Sequence, residues 1–470
     1  MNALFDHGLS TGNAVLLFVC LGIALGFEFV NGFHDTANAV ATVIYTHSLK
    51  PTHAVVLSGI CNFLGVFSAG ISVALGLMKL LPVELLVSSG TGKGLAMVLA
   101  MLIAAILWNL ATWYKGLPAS SSHTLIGAIL GVGIANSLLP GHHFGDGVNW
   151  QKAGEIGISL IVSPLFGFAA SALLLVLTRR FAARAGLLEE PPKDQPPPFY
   201  VRALLVATCS GVSFAHGSND GQKGVGLVML ILMGLVPASY ALNLHATDEA
   251  YRGTVVAVAH IEQTLTAHAD AHAEAEVRNI RRALDAVSAQ VSAHRSVSDI
   301  PREQRFEVRG AILRADKALE QLVKHGGLGL TESERRTLDA DRKAMRKLTD
   351  YAPQWVLFVI ALALGVGTMF GWRRIVVTVG EKIGKSHLTY AQGAAAELVA
   401  ASTIGFAAVS GLPVSTTHVL SSGIAGTMVA NGSGVNLGTL RNIGLAWIMT
   451  LPVVVTLSGV LFLVFRAVLT

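Results

Sequence analysis

Apolar runs longer than 18 residues recur along this 470-residue chain, and they constrain it more than any other feature. The clear ones lie at 13–33, 52–77, 95–114, 153–178, 353–371 and 442–465. A run of that length spans a bilayer core as a helix that satisfies its own backbone. Only 13% of the residues are charged, against about 25% in an ordinary soluble protein. A transmembrane β-barrel would show short alternating segments instead. The chain therefore reads as an all-α polytopic membrane protein, with about ten to twelve transmembrane segments.

The N-terminus, MNALFDHGLS, has neither a basic stretch nor a small-residue cleavage site, so 13–33 is expected to be a retained first span. Cys20, Cys61 and Cys209 sit in apolar segments and read as small buried hydrophobes, not as a metal or disulfide framework. Charge is concentrated in 244–350, which holds more than half of the 29 acids and half of the 34 Lys and Arg. That segment reads as a soluble helical insert. His268 and His272 within it could bind metal, although a solvated helical face explains them as well. No nucleic-acid or nucleotide motif is visible there. Arg179, Arg180, Arg184, Lys193 and Arg202 mark 179–202 as a cytoplasmic loop, while 140–152 carries only Lys152. Counting back places the N-terminus outside.

Two phrases are written twice. GLPASSSH at 116–123 returns as GLPVSTTH at 411–418, an offset of 295. GFEFVNGFHDTANAVATVI at 26–44 matches GVSFAHGSNDGQKGVGLVM at 211–229, an offset of 185. The two offsets differ by about the length of the charged segment, so the second copy has acquired an insert. The expected organisation is transmembrane repeat 1 over 1–178 with its core at 26–131, and a linker at 179–200. The start of repeat 2 follows at 201–243, then the insert at 244–350 and the remainder at 351–470. Duplicated halves with Gly/Pro-interrupted apolar segments are a transporter pattern. Five spans between the two motif starts would make the copies inverted. The 37 residues of 200–236 leave room for two short or broken helices.

Outside the insert, four acids lie deep in or between apolar runs: Glu28, Asp35, Asp220 and Glu397. A carboxylate there costs at least about 2.5–3.5 kcal/mol, which usually marks an ion path. Asp35 and Asp220 are repeat mates on Gly-flanked polar stretches, where the helix is expected to break and free carbonyls for a cation or proton. A structural ion pair between Asp220 and Lys223 is the alternative. Glu28 and Glu397 have no acidic mates (Ser213 and Leu102 stand there); each suits a proton role or a satisfied structural one. In the GLP phrases, proline and the hydroxyls of Ser120, Ser121, Ser122, Ser415, Thr416 and Thr417 start short helices whose free amides suit an anion. Plain helix capping is the alternative. His123 and His418 close the phrases, as titrating or structural groups. No arginine lies deep enough to bind the anion.

These four stretches resemble the Pit family of inorganic phosphate transporters, in its bacterial low-affinity permease branch, over nearly the whole chain. The resemblance implies inverted repeats, broken helices with re-entrant Ser/Thr-rich hairpin tips, and phosphate as substrate. It implies Asp35, Asn38, Asn219, Asp220, Gln222 and the six tip hydroxyls as the phosphate site. It implies Asp35, Asp220 and Glu397 as coupling-ion or proton groups, and the residues themselves add His34 and Glu28 to those candidates. His34, Lys223 and Asn62 depart from the sodium-coupled pattern, which favours proton symport of a metal–hydrogen-phosphate complex. Sodium coupling and a sulfate-type oxyanion cargo stay open. No resident cofactor is expected, a divalent metal could accompany phosphate, and a homodimer in the bacterial inner membrane is plausible from the resemblance. An intramembrane serine hydrolase fits poorly, because no nucleophile-elbow motif is present.

Overall fold

The computed structural model describes residues 11–78, 80, 91–141, 143–145, 147–181, 186–192, 195–268, 274–324 and 328–469, and at a few helical positions, Asn38 among them, the backbone alone. The described residues form helices and connections without a strand ladder. Seven helices are long and apolar enough to cross a membrane, or eight when the bent pair Gln354–Thr368 and Arg373–Lys382 is one span. The chain divides into two compact units. One contains 229–352 and two short N-proximal segments; the other contains 18–82, 95–228 and 353–470.

Along the chain, α1 spans Thr11–Tyr45, α2 Pro51–Ser68, α3 Ser72–Met78, α4 Thr91–Tyr114, α5 Ser121–Ser137 and α6 Trp150–Phe181. α7 spans Phe199–Leu235. After the insert come α12 at Gln354–Thr368, α13 at Tyr390–Val409, α14 at Thr416–Asn431 and α15 at Leu437–Leu469. α6 and α15 present large apolar side chains outward, including Ile158, Leu165, Phe166, Ile448 and Leu463. Hydrocarbon is the solvent that tolerates such a surface.

Two expectations are corrected here. The helix does not break at either Asp motif: α1 and α7 run straight through residues 26–44 and 211–229. The stretch 200–236 is accordingly one helix and not two. The motif glycines serve close helix approach instead. A side chain on Gly32 would run into the Leu364 carbonyl of α12, and one on its mate Gly217 into the Asn62 carbonyl of α2. The chain does leave the helix at 115–120 and 410–415, just before α5 and α14.

The duplication is visible in packing. Gly65 of α2 abuts the Phe214 carbonyl of α7, and Gly367 of α12 abuts the carbonyl of Phe29, the mate of Phe214. The tip helices are exchanged between copies. Gly131 of α5 lies against Val455 of α15, and its mate Gly426 of α14 lies against Phe168 of α6. Such contacts leave no room for a β-carbon. Gly217→Val should therefore push α2 and α7 apart, at a cost of about 1–3 kcal/mol. Thermal unfolding of the purified protein should show a lowered midpoint; an unchanged midpoint would mean the helices separate freely.

In the smaller unit, the insert folds as a four-helix bundle: α8 at Asp248–His268, α9 at Glu274–Ala293, α10 at Arg305–Lys324 and α11 at Glu332–Arg346. Ile261, Leu265, Ile280, Leu284, Ile312, Leu319 and Met345 fill its centre. Asp316 receives Arg342 and Arg346, each at 2.9 Å. Arg309 is buried, and burial pushes its guanidinium down to about 10 while it donates to the Ala241 and Thr349 carbonyls. His268 pairs with Glu334 at 3.1 Å on a partly exposed face, as a solvated helix would have it. His272 lies outside the described residues, as do Arg184 and Lys193.

Candidate functional site

The two hairpin tips meet inside the larger unit. Ser120 and Ser415 cap α5 and α14, each accepting the backbone N–H of the histidine three residues on, at 3.1 Å. For these two hydroxyls, capping is the role the structure gives. Ser122 of the first tip donates to the Val414 carbonyl of the second at 2.7 Å. His123 and His418 pack at a 37° tilt, 4.4 Å between centroids, and His418 stacks on the Trp447 ring at 3.8 Å. Trp447 in turn donates to the Pro118 carbonyl. Thr416 is buried in the first turn of α14.

Both tips reach the Asp motifs. The Ser121 hydroxyl lies 2.9 Å from Asp35 Oδ2 and 3.1 Å from Asp220 Oδ2, and Thr417 donates to Asp35 Oδ1 at 2.7 Å. Each of these four side chains is at most 2% exposed. The repeat thus brings its two carboxylates and its two tips to one place, although Asp35 and Asp220 are 185 residues apart. His34 contacts Asp35 Oδ1 at 3.2 Å and Thr112 at 3.1 Å. Asn219 donates to the Leu412 carbonyl of the second tip. Gln222 holds the Val73 amide of α3 and the Ser218 carbonyl, a bracing position and not a contact with the carboxylates. The side chain of Asn38 lies outside the described residues.

Lys223 enters this cluster. Its ammonium donates to Asp220 Oδ1 at 2.6 Å and to Ser122. The ion pair that sequence reading held as the alternative is therefore present, and it links the second Asp motif to the first tip. Two of the candidate proton groups stand on other contacts: Glu28 receives Asn31 at 3.5 Å, and Glu397 receives Thr208 at 2.5 Å.

Sequence reasoning missed His216. Its Nε2 lies 3.6 Å from Asp35 Oδ2 and 3.6 Å from Asp220 Oδ2, and its Nδ1 lies 2.7 Å from Asn62 Oδ1. The available signal was the broken repeat: Asn31 occupies the equivalent place in the first copy. Beside the first tip, an open groove of about 720 Å³ is lined by Lys115, Gly116, Arg373, Arg374 and Lys382, with Arg374 over Trp113.

The sequence compares with known proteins in the same terms. Residues 31–458 match the model of the phosphate transporter family, PHO4. The chain belongs to that family. It is 43% identical to the low-affinity inorganic phosphate transporter PitA of Escherichia coli K12, over 97% of each chain. It is 39% identical to the low-affinity inorganic phosphate transporter of Buchnera aphidicola from Acyrthosiphon pisum, over 96% of each. A probable low-affinity inorganic phosphate transporter of Bacillus subtilis is 29% identical, over 96% of each. A solved structure described as the sodium-dependent phosphate transporter superposes with a TM-score of 0.57 over 97% of this chain and all of that one, at 21% identity, and so shares the fold. Membership in the family makes this a multi-pass membrane transporter rather than an enzyme.

Proposed function

We propose that this protein imports inorganic phosphate across the bacterial inner membrane, as a metal–hydrogen-phosphate complex, in symport with protons. The observation that carries the reading is the seating of the tips on the Asp motifs: Ser121 on both Asp35 and Asp220, and Thr417 on Asp35. Hydroxyls on helix N-termini are suited to oxyanion oxygens, which they hold without a fixed full charge. The two carboxylates outnumber the one ammonium among the fixed charges of the cluster. Like charges 4 Å apart repel by about 4 kcal/mol near a protein surface, so a phosphate dianion needs accompanying cations. The basic groove beside the first tip concentrates anions at the approach.

In this mechanism the cargo parts the tips from the carboxylates. Ser122, Thr417 and Lys223 turn toward phosphate oxygens, and Asp35 and Asp220 face the cations. The two copies run in opposite senses, with 179–202 cytoplasmic and the N-terminus outside, and rocking between bundles exposes the site alternately.

The test is phosphate uptake into proteoliposomes in sodium-free buffer, with and without Mg²⁺ and an imposed pH gradient. Uptake that needs an inward proton gradient and rises with Mg²⁺ is expected. Uptake that appears only with sodium would replace the proton by sodium, the ion on which the solved relative is described as dependent.

A further inference from the structure

The carboxylates and His216 form a cluster whose acceptor lone pairs outnumber its donor protons. Asp35 Oδ1 is taken by Thr417 and His34, and Asp220 Oδ1 by Lys223. Each carboxylate therefore aims its Oδ2 at the same point. The one proton there belongs to Ser121, which lies 2.9 and 3.1 Å from the two oxygens. A single hydroxyl cannot fully satisfy both.

His216 adds a third electron pair, and its tautomer follows from a chain of contacts. Thr368 donates its hydroxyl to the Leu364 carbonyl, so it accepts from Asn62 Nδ2 at 3.1 Å. This turns Asn62 Oδ1 to the imidazole, 2.7 Å from Nδ1. An amide oxygen only accepts, so Nδ1 carries the proton and donates. In the neutral ring, Nε2 then presents its lone pair to the two carboxylate oxygens. His216 is 4% exposed, and its Nε2 has no hydrogen-bond partner. Three lone pairs turned on one point are a donor set that a metal ion takes. The three ligand atoms lie within 4.8 Å of one another. Donors bonded to one ion at about 2.1 Å in tetrahedral geometry stand about 3.4 Å apart, close to the 3.6 Å from Nε2 to each oxygen. Asn62, on the far nitrogen, has the position of a residue that orients a metal-bound imidazole.

We infer that His216 Nε2, Asp35 Oδ2 and Asp220 Oδ2 bind the divalent metal of the cargo, and that His216 selects which metals are carried. This rests on the metal–phosphate reading above. One imidazole and two carboxylates suit Mn²⁺, Co²⁺ and Zn²⁺; Mg²⁺ and Ca²⁺ prefer oxygen alone. The second copy supplies the nitrogen and the first does not, since Asn31 stands at the equivalent place. The site is therefore single, although the scaffold is duplicated. Asn62 is a positioning residue for it.

The experiment is Mn²⁺ binding to the purified full-length protein with phosphate present, followed by electron spin-echo envelope modulation and paired with Mn²⁺- and Mg²⁺-supported uptake. Expected is nitrogen coupling from one imidazole, lost in His216→Gln together with about a tenfold preference for Mn²⁺ over Mg²⁺. Asn62→Leu should keep the coupling and weaken Mn²⁺ binding about 10- to 100-fold. That variant also serves if His216→Gln fails to fold. Mn²⁺ bound without nitrogen coupling, or coupling that persists in His216→Gln, would overturn the assignment and leave metal–phosphate transport standing. Uptake indifferent to every divalent metal, with no Mn²⁺ bound, would overturn both.

Discussion

Replacing Asp35 with asparagine is expected to reduce phosphate uptake by roughly two orders of magnitude or more. The carboxylate accepts Thr417 and His34 on one oxygen and Ser121 on the other. Asparagine keeps one acceptor and puts an NH₂ group against a hydroxyl on the other side. A hydrogen bond to a charged group contributes about 1.5–3 kcal/mol, so losing one or two gives several kcal/mol. Each 1.36 kcal/mol is about tenfold in rate. The check is the initial rate of labelled phosphate uptake, normalised to protein that elutes as a single folded species. A rate within about tenfold of the parent would place Asp35 outside the transport path.

Lys223→Met should act on folding before it acts on transport. It leaves the Asp220 carboxylate, which is fully buried, without its cation. Removing one partner of a buried pair typically costs about 3–5 kcal/mol, because the other charge stays behind. A marked drop in thermal stability and in folded yield is expected. Adding Asp220→Asn should recover much of that stability, because no lone charge remains, while uptake stays lost. If Lys223→Met alone is as stable as the parent, the ion pair is not what holds α7 to the first tip.

The membrane class, the duplication, the tips and the insert were legible because they are local signals: apolar length, repeated phrases and a block of charge. The meeting of Asp35, Asp220, Ser121 and Thr417 followed from pairing the motifs. What escaped depends on distant contacts. Glycine beside polar residues reads locally as a helix break, yet Gly32 and Gly217 serve neighbouring helices and α1 and α7 stay intact. His216 needs Asn62, 154 residues away, before its ring can be oriented. Lys223 looked like a departure from a pattern, and its partner Ser122 lies on an element that periodicity does not place beside it.

The exchanged packing of the tip helices bears on how such a molecule could arise. A chain carrying one copy alone would have α5 without α15 and would expose the glycine face at Gly131. The same holds for α14 without α6 at Gly426. A single copy on its own could therefore complete its fold only with a second molecule lending its closing helix. In this chain the other half lends that helix covalently, as the contacts of Gly131 with Val455 and of Gly426 with Phe168 show. Joined in one chain, the halves need not match: His216 and Lys223 stand in one where Asn31 and Asn38 stand in the other.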